Sequence, residues 1–410
     1  MLLQLLALVL VGSVPTLSRG TDWLGSWKMA LNAGLFSLTL VGPASAGIAC
    51  AVYTRFATSG TEHLVLTGSR PWRAWLRPAA ATWSLGAAAV LAITLATTSA
   101  AQAAGSANYP ETFWVALPAL CVLAAQVAVG VVIGAVGRRR WLAPLAATVT
   151  FGLGVLGAVG AIPDIFRAYV VTGTYAGESY VVSTHVLQAG AALGVVAALL
   201  ALSHRAVLRD SSWVPRVLVG ALVVAGGACY FTLGHGHHAS TRLSADPPLV
   251  CHGAAVRVCL AEETTRPLDD LVRRMERQAV ALHDLGLTLP ARYVDDLAGT
   301  RDERDGGVPL LVDETLADTV SDETAARVLS TPARCAAYSA DVPPPEASFA
   351  ARRLLARWLL VRAGRWEPDP DDSDRAWLES DLDEQRQWVT TTYERLRACD
   401  LQSLRLPSGV

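Results

Sequence analysis

The chain has 410 residues, 52% of them hydrophobic and only 17% charged, with a mean hydropathy of +0.35. Soluble domains carry about a quarter charged residues, so the composition argues that part of the chain is dissolved in lipid. A formal net charge of −2 gives no support to nucleic-acid binding, and no collagen, coiled-coil or short repeat period is visible. Acidic residues are scarce up to about residue 234 and then cluster, as in "DERD", "SDET" and "DPDDSD". This divides the chain into a membrane half and a polar half of ordinary domain size.

A spanning helix needs about 20 mostly apolar residues, because the hydrocarbon core is about 30 Å thick. Such runs lie at 31–53, 79–102, 113–136, 142–163, 181–203 and 216–234. A shorter run, "LLQLLALVLVGSVPTL", opens the chain. It lacks the basic lead and the A-x-A-like site of a signal peptide, so it reads as a retained first helix. Six or seven transmembrane helices are therefore expected.

Short basic loops stay cytoplasmic. With the N-terminus inside, the cytoplasmic loops hold Arg55, Arg70, Arg73, Arg77, then Arg138, Arg139, Arg140, then Arg205, Arg209 and Arg216. The opposite loops hold only Arg19, Lys28 and Arg167. The reading is an α-helical polytopic protein of the plasma (cytoplasmic) membrane followed by a small extracytoplasmic mixed α/β domain. Its boundaries are 1–234 for the membrane domain, 235–250 for an exit linker and 251–410 for the exported domain. Cleavage of the first run leaves the same exported C-terminus.

After the second run comes "YTRFATSGTEHLVLTGSRPWRAWLRP". Here Leu64, Val65, Leu66, Trp72, Trp75 and Leu76 alternate with charges, which suits a segment lying at headgroup depth. It is either a solvated basic loop that fixes topology or a docking element for a cytoplasmic partner. Within the runs, polar residues are few: Gln126, His185 and Gln188. They read as interhelical hydrogen-bonding groups rather than a transport path. Asp164 and Glu178 fall at or beyond the outer boundary.

At the membrane exit, "GHGHHASTRLSADPPLVCHGAAVRVCL" crowds six possible metal ligands: His235, His237, His238, Cys251, His252 and Cys259. Zinc needs thiolates and a regular spacing such as C-x₂-C or H-x₃-H, and neither spacing is present. No metal is expected, with His235, His237 and His238 as weak candidates only. "GHGHH" reads as a flexible exit and "STRLSADPP" as a linker. Outside a cell cysteines tend to pair. Cys251, Cys259, Cys335 and Cys399 lie in the polar half, whereas Cys50, Cys121 and Cys229 lie in apolar runs. Four cysteines allow three connectivities that sequence does not separate. Cys251–Cys259 with Cys335–Cys399 is preferred, because the first pair closes a small loop.

In the polar half, "AVRVCL" and "PARYV" read as strands. "TTRPLDDLVRRMERQAVALHDLGL" has helical spacing at Leu268, Leu271, Val272, Met275, Ala279 and Leu282, with Thr265 as cap and Pro267 in the first turn. "ASFAARRLLARWLLVRAG" is a second helix stopped by Gly364, and "DLDEQRQWVTTTYERLRAC" a third. Trp358, Trp366, Trp377 and Trp388 read as core rather than ligand cage. No H-E-x-x-H, nucleophile elbow or Gly-rich fingerprint occurs, so neither catalysis nor a cofactor is expected. Lys28 is the only lysine. That excludes a P-loop, and any ATP hydrolysis belongs to another chain.

Several stretches resemble permease-like membrane subunits of ATP-binding-cassette (type 2 exporter) systems of actinobacteria that carry an exported C-terminal domain. They are "VGPASAGIACAVYTRFATSGTEHLVLTGSRPWRAWLRPA", "GVVIGAVGRRRWLAPLAA", "STHVLQAGAALGVVAALLALSHR", "VCHGAAVRVCL", "RRLLARWLLVRAG" and "QRQWVTTTYERLRAC". The resemblance implies a permease subunit energised by a separate ATPase chain, as a homodimer or paired with a second permease. It also implies an ATPase-docking loop comprising Arg55, Glu62, His63, Arg70, Arg73 and Trp75. The chain departs from the family in lacking a basic lead before its first run. It also carries Ala261, Glu262 and Glu263 where the relatives tend to have a proline and an aromatic residue or histidine. The competing expectation is a non-transporting membrane anchor whose exported domain binds a peptide, a cell-wall component or a partner protein. An exported enzyme ranks third, because only His252 and His283 lie beyond the membrane-exit cluster.

Overall fold

The computed structural model describes the chain except residues 1, 19, 21, 60–70, 107–108, 140, 159–177, 204–212, 236–240, 244–247, 263–264, 266, 296–306, 311–319, 334, 336–344, 370–371 and 408–410. It divides into two compact units: Met1–Ala104 with Asn108–Arg242, and Gly105–Ala107 with Leu243–Val410.

The first unit is helical. Its helices are α1 (Leu2–Leu17), α2 (Trp27–Leu35), α3 (Leu38–Thr58), α4 (Pro71–Ala103), α5 (Ala116–Gly137), α6 (Leu142–Ala158), α7 (Val182–Ser203) and α8 (Trp213–His235). A short strand, β1 (Glu178–Tyr180), pairs with β2 (Thr241–Leu243). Four helical stretches are long and apolar enough to cross a membrane: Trp27–Thr58, Arg73–Ala103, Thr112–Gly137 and Val182–Ser203. The apolar helices Leu2–Leu17, Leu142–Gly157 and Val219–Leu233 are shorter.

Small residues set the packing. An added Cβ on Gly130 would fall 2.1 Å from the Ala46 carbonyl oxygen, and one on Gly134 would fall 2.4 Å from that of Cys50. One on Gly42 would overlap the Gln126 amide. Gly42, Ala46 and Cys50 thus form one face of α3 at four-residue spacing, and Gln126, Gly130 and Gly134 the matching face of α5. Apolar side chains gain little by leaving lipid for one another, so close backbone approach through small residues is what holds such helices together. The same device joins α7 to α8, where Gly194 meets Gly226.

These contacts also fix directions. The α3 and α5 pairings advance together, so the two helices run parallel. Gly34 faces Thr94 and Thr97, and Ser45 faces Gly86, so α4 runs against them. Gly190 faces Cys229, so α7 and α8 are antiparallel. Trp114, just before α5, meets Tyr180 and His185 at the start of α7, with ring centroids 6.4 and 5.4 Å away. Consequently the ends of α3, α5 and α7 and the starts of α4 and α8 lie together at one end of the unit. The starts of α2, α5 and α7 lie at the other.

The second unit is mixed α/β. β3 (Leu249–His252) pairs antiparallel with β4 (Val258–Ala261), with Cys251 opposite Cys259. β4 pairs parallel with β5 (Arg292–Asp295), and β5 parallel with β6 (Gly307–Leu310). The β4–β5 crossover is α9 (Leu268–His283), whose buried Leu268, Leu271, Val272, Met275, Ala279 and Leu282 follow the helical period. Thr265 does not cap it as expected. The helix begins after Pro267, and the Thr265 hydroxyl turns back to donate to the Glu262 carbonyl. α10 (Asp322–Leu329) is capped by Ser321, whose hydroxyl accepts from the Thr324 amide at 3.0 Å. α11 (Glu346–Arg362) ends at Gly364, φ +62°, where the amides of Gly364 and Arg365 donate to the Val361 and Leu360 carbonyls.

α12 (Arg375–Leu378) and α13 (Leu382–Arg397) are tied to α11 by one buried side chain. The Gln385 amide donates to the carbonyls of Trp377, Leu378 and Ser380, and its oxygen accepts from the Trp358 indole at 3.1 Å. Trp358 and Trp377 are core residues, while Trp366 and Trp388 pack part-buried against that core. Burial raises the pKa of both phenols, Tyr293 and Tyr393; Tyr393 raises that of Tyr293 further, while Tyr293 partly offsets the rise at Tyr393.

Two outcomes follow from this packing. Gly130→Ala drives a Cβ into backbone that cannot yield and is expected to cost about 1–3 kcal/mol of stability. At Gly152, where an added Cβ meets nothing within 4 Å, the same change should cost nothing; paired melting curves in detergent compare them. Tyr393 is pushed up to about 12, chiefly by burial. A raised acid favours the fold below its unfolded value near 10 and loses that contribution as pH climbs toward 12. Tyr393→Phe should therefore flatten the fall in stability between pH 10 and 11.5, read by tryptophan fluorescence of the second unit's core.

Candidate functional site

The described flanks of the segment expected to dock a partner, Arg55 and Arg73 to Arg77, lie at the end of the first unit where α3 finishes and α4 begins. Arg55 is exposed in the last turn of α3, and Arg73 and Arg77 are exposed in the first turns of α4. Glu62, His63 and Arg70 lie outside the described residues. Trp75, expected on a contacting face, is instead 3% exposed. Its ring meets Tyr53 edge-on at 4.8 Å and Phe56 at 5.6 Å, and the Tyr53 hydroxyl donates to the Trp75 carbonyl. The reason is geometric: α4 begins before Trp75, so the indole turns inward on the helix and clamps α4 to α3. Arg138 and Arg139, just beyond α5, are exposed at this same end. The arrangement is a buried aromatic clamp beside an arginine-rich rim.

The opposite end is braced by a polar and aromatic cluster. Lys28 is 6% exposed, donates to the Glu178 carbonyl and lies 5.8 Å from the centre of the Tyr109 ring. The Trp27 indole donates to the Thr112 hydroxyl at 3.1 Å. His185 packs between Trp114 and Tyr180. Of the polar residues noted within the apolar runs, His185 belongs to this cluster, Gln126 packs against Gly42 in the α3–α5 seam, and Gln188 is buried on α7. Sequence reasoning treated Lys28 only as a loop charge. Its place beside Trp27 at a helix start was the available signal.

At the exit, His235 is the last residue of α8, and His237 and His238 lie outside the described residues. Among the described residues no group of three His, Cys, Asp or Glu side chains is arranged to hold a metal. Cys251 is bonded to Cys259 and Cys335 to Cys399, which removes four thiols from metal chemistry. His252 contacts Asp269 through Nδ1 at 2.6 Å, with both side chains exposed. The hairpin turn beside it is held by Glu276, which accepts from the amides of Ala254 and Ala255. Gly253, φ +98°, allows that turn. Cys399 stands at φ +59° just past α13, a position that usually takes glycine, and its bond to Cys335 pins it there.

Trp75→Ala should lower the stability of the first unit by about 3–5 kcal/mol, as expected for emptying a buried indole site. Arg77→Ala, on the neighbouring exposed face, should change it by less than about 0.5 kcal/mol; thermal unfolding in detergent separates the two. No family model matches the chain, and neither does any curated protein or solved structure.

Proposed function

We propose that this chain is the membrane-spanning, permease-like subunit of an ATP-binding-cassette exporter, energised by a separate ATPase and working as a homodimer or beside a second permease. The observation that carries the reading is the gathering of Arg55, Arg73, Arg77, Arg138 and Arg139 at one end of the helical unit, over the Tyr53–Phe56–Trp75 clamp. Basic segments favour the cytoplasmic side, so that end faces the cell interior and a soluble ATPase. The segment from residue 241 onward then lies outside, a compartment that suits two disulfides. In this reading the three shorter apolar helices complete a bundle of six or seven spans.

The clamp gives the coupling a physical basis. A partner pressing on residues 60–70 pushes against helix ends locked to each other, so force reaches α3 and α4 instead of being lost in a loose loop. Differential binding of the ATPase in its nucleotide-bound and nucleotide-free forms would then bias the permease between two states.

A second reading has its own support. Gln126 is packed into the gap left by Gly42 and the α3–α5 seam is closed by backbone, while the second unit has a complete core and two disulfides. This suits an anchor whose exported domain binds a ligand, with no transport.

Purification from native membranes in mild detergent, followed by mass spectrometry and an ATPase assay, decides between them. The permease reading expects a stoichiometric P-loop ATPase whose hydrolysis rate changes in the complex. Combined charge reversal at Arg70 and Arg73 should abolish that change while leaving the fold intact. A clean preparation without an ATPase, with or without ATP analogues, would sink it and leave the anchor.

A further inference from the structure

The second unit contains a cavity of about 740 Å³ between α10, α11 and the chain just after Gly364. One face of α11 builds most of its wall. Phe349, Arg352, Arg353, Ala356, Arg357 and Leu360 recur at helical spacing, and all line it. The other face of the same helix, with Leu354, Leu355, Trp358 and Leu359, is core. The helix therefore has one side committed to the fold and one side turned to a hollow.

The charge in that hollow is one-sided. Among the described residues its wall carries Arg327, Arg352, Arg353, Arg357 and Arg365 against two carboxylates, Asp322 and Glu323. Asp322 is already shared by Arg274 at 3.1 Å, Arg277 at 3.4 Å and Arg365 at 3.9 Å. Glu323 is taken by Arg327 along α10 at 2.5 Å. Arg357 is held by Asp372 at 3.2 Å and Asp374 at 2.5 Å, with its guanidinium 5.3 Å from the centre of the Trp366 ring. Asp374, 1% exposed, in turn accepts from the Ser373 hydroxyl. Arg353 has no ion pair among the described residues and is exposed. Phe349 is 56% exposed, a large apolar surface at the edge of a cationic hollow.

We propose that this cavity is a binding site for a phosphate-bearing small molecule. Its anionic group is received by Arg353 and Arg365, on a floor stiffened by the Asp-held Arg357, and is flanked by Phe349 and Trp366. A planar guanidinium offers paired donors that match phosphate oxygens. Arg357, already fixed by two carboxylates and the Trp366 indole, loses little freedom when a ligand arrives. The surplus of positive charge favours a phosphate, which carries more than one negative charge at neutral pH, over a single carboxylate. This inference stands apart from the permease reading, since it needs neither transport nor an ATPase.

The test uses the full chain in maltoside detergent, with tryptophan fluorescence and thermal shift as readouts. Three probes are compared: inorganic pyrophosphate, dihexanoyl phosphatidic acid and hexanoate. Both phosphate probes should bind, hexanoate at least tenfold more weakly, and binding should weaken as salt rises. Arg353→Ala should reduce phosphate affinity at least tenfold with an unchanged melting temperature, and Arg353→Lys should restore part of it. Tighter binding of the lipid than of pyrophosphate, lost in Phe349→Ala, would identify a lipid headgroup. Equal binding insensitive to Phe349→Ala would identify a soluble phosphate. The proposal is overturned if folded protein responds to neither phosphate probe, or if Arg353→Ala and Arg365→Ala both bind as the wild type does.

Discussion

The helical unit depends on one contact, the backbone approach of α3 to α5. In water a helix pair is held by excluding solvent from its apolar seam. In lipid that force is absent, and association comes from dispersion and weak polar contacts that grow only when backbones come close. Gly130 against Ala46 and Gly134 against Cys50 supply that closeness. The Thr54 hydroxyl adds a long hydrogen bond to the Gly134 carbonyl at 3.4 Å. Because the seam pairs parallel helices, it forces α4 to return between them, and so brings the α3–α4 junction and the end of α5 to the same end. The arginine rim and the clamp under it are consequences of that seam.

The second unit solves the opposite problem. It has water to work against, so amphipathic helices and a short sheet bury an ordinary core, and its polar groups must be satisfied one by one. Gln385 does this with its amide and oxygen both engaged, joining three helices through bonds that an aliphatic side chain of similar size would leave open. The Cys335–Cys399 bond closes a long stretch of chain, with a sequence separation of 64. In the entropic account it therefore restricts the unfolded chain more than the hairpin bond Cys251–Cys259 does.

Much of this was legible in the sequence, and the losses have physical causes. Apolar runs report helices well because lipid leaves the backbone no alternative partner, and the α9 periodicity reports its buried face directly. Side-chain direction is harder. Trp75 lies in a stretch whose charges suggest an exposed loop, yet the helix starts at Pro71, and the 3.6-residue turn then points the indole at Tyr53. Thr265 has the right chemistry for a cap, but Pro267 delays the first helical residue to Leu268. The glycine seam was written as four-residue spacings on both helices, but only the fold reveals that those two faces meet. The cavity was hidden for a similar reason. "RRLLAR" shows an amphipathic helix, and nothing in one helix tells which neighbours leave a gap beside it.

The near absence of lysine ties these features together. Of the 34 basic residues Lys28 is the sole lysine, and it is buried against a carbonyl and a phenol ring, where its charge braces a helix start. Every other cation is a guanidinium, which stays protonated throughout the physiological range and is more weakly hydrated than an ammonium. At the rim this means a positive charge that does not change with pH. In the cavity it means that Arg353, Arg357 and Arg365 cannot switch their charge, so apart from the wall's own carboxylates, Asp322 and Glu323, which would weaken anion binding as they ionise, any pH dependence there comes from the ligand. A phosphate whose second ionisation lies near pH 6 would be held more firmly as pH rises through that value, the reverse of a site built on histidine. His252, 47% exposed and paired with Asp269, is no part of that wall, so the sign of the dependence reports the bound group itself.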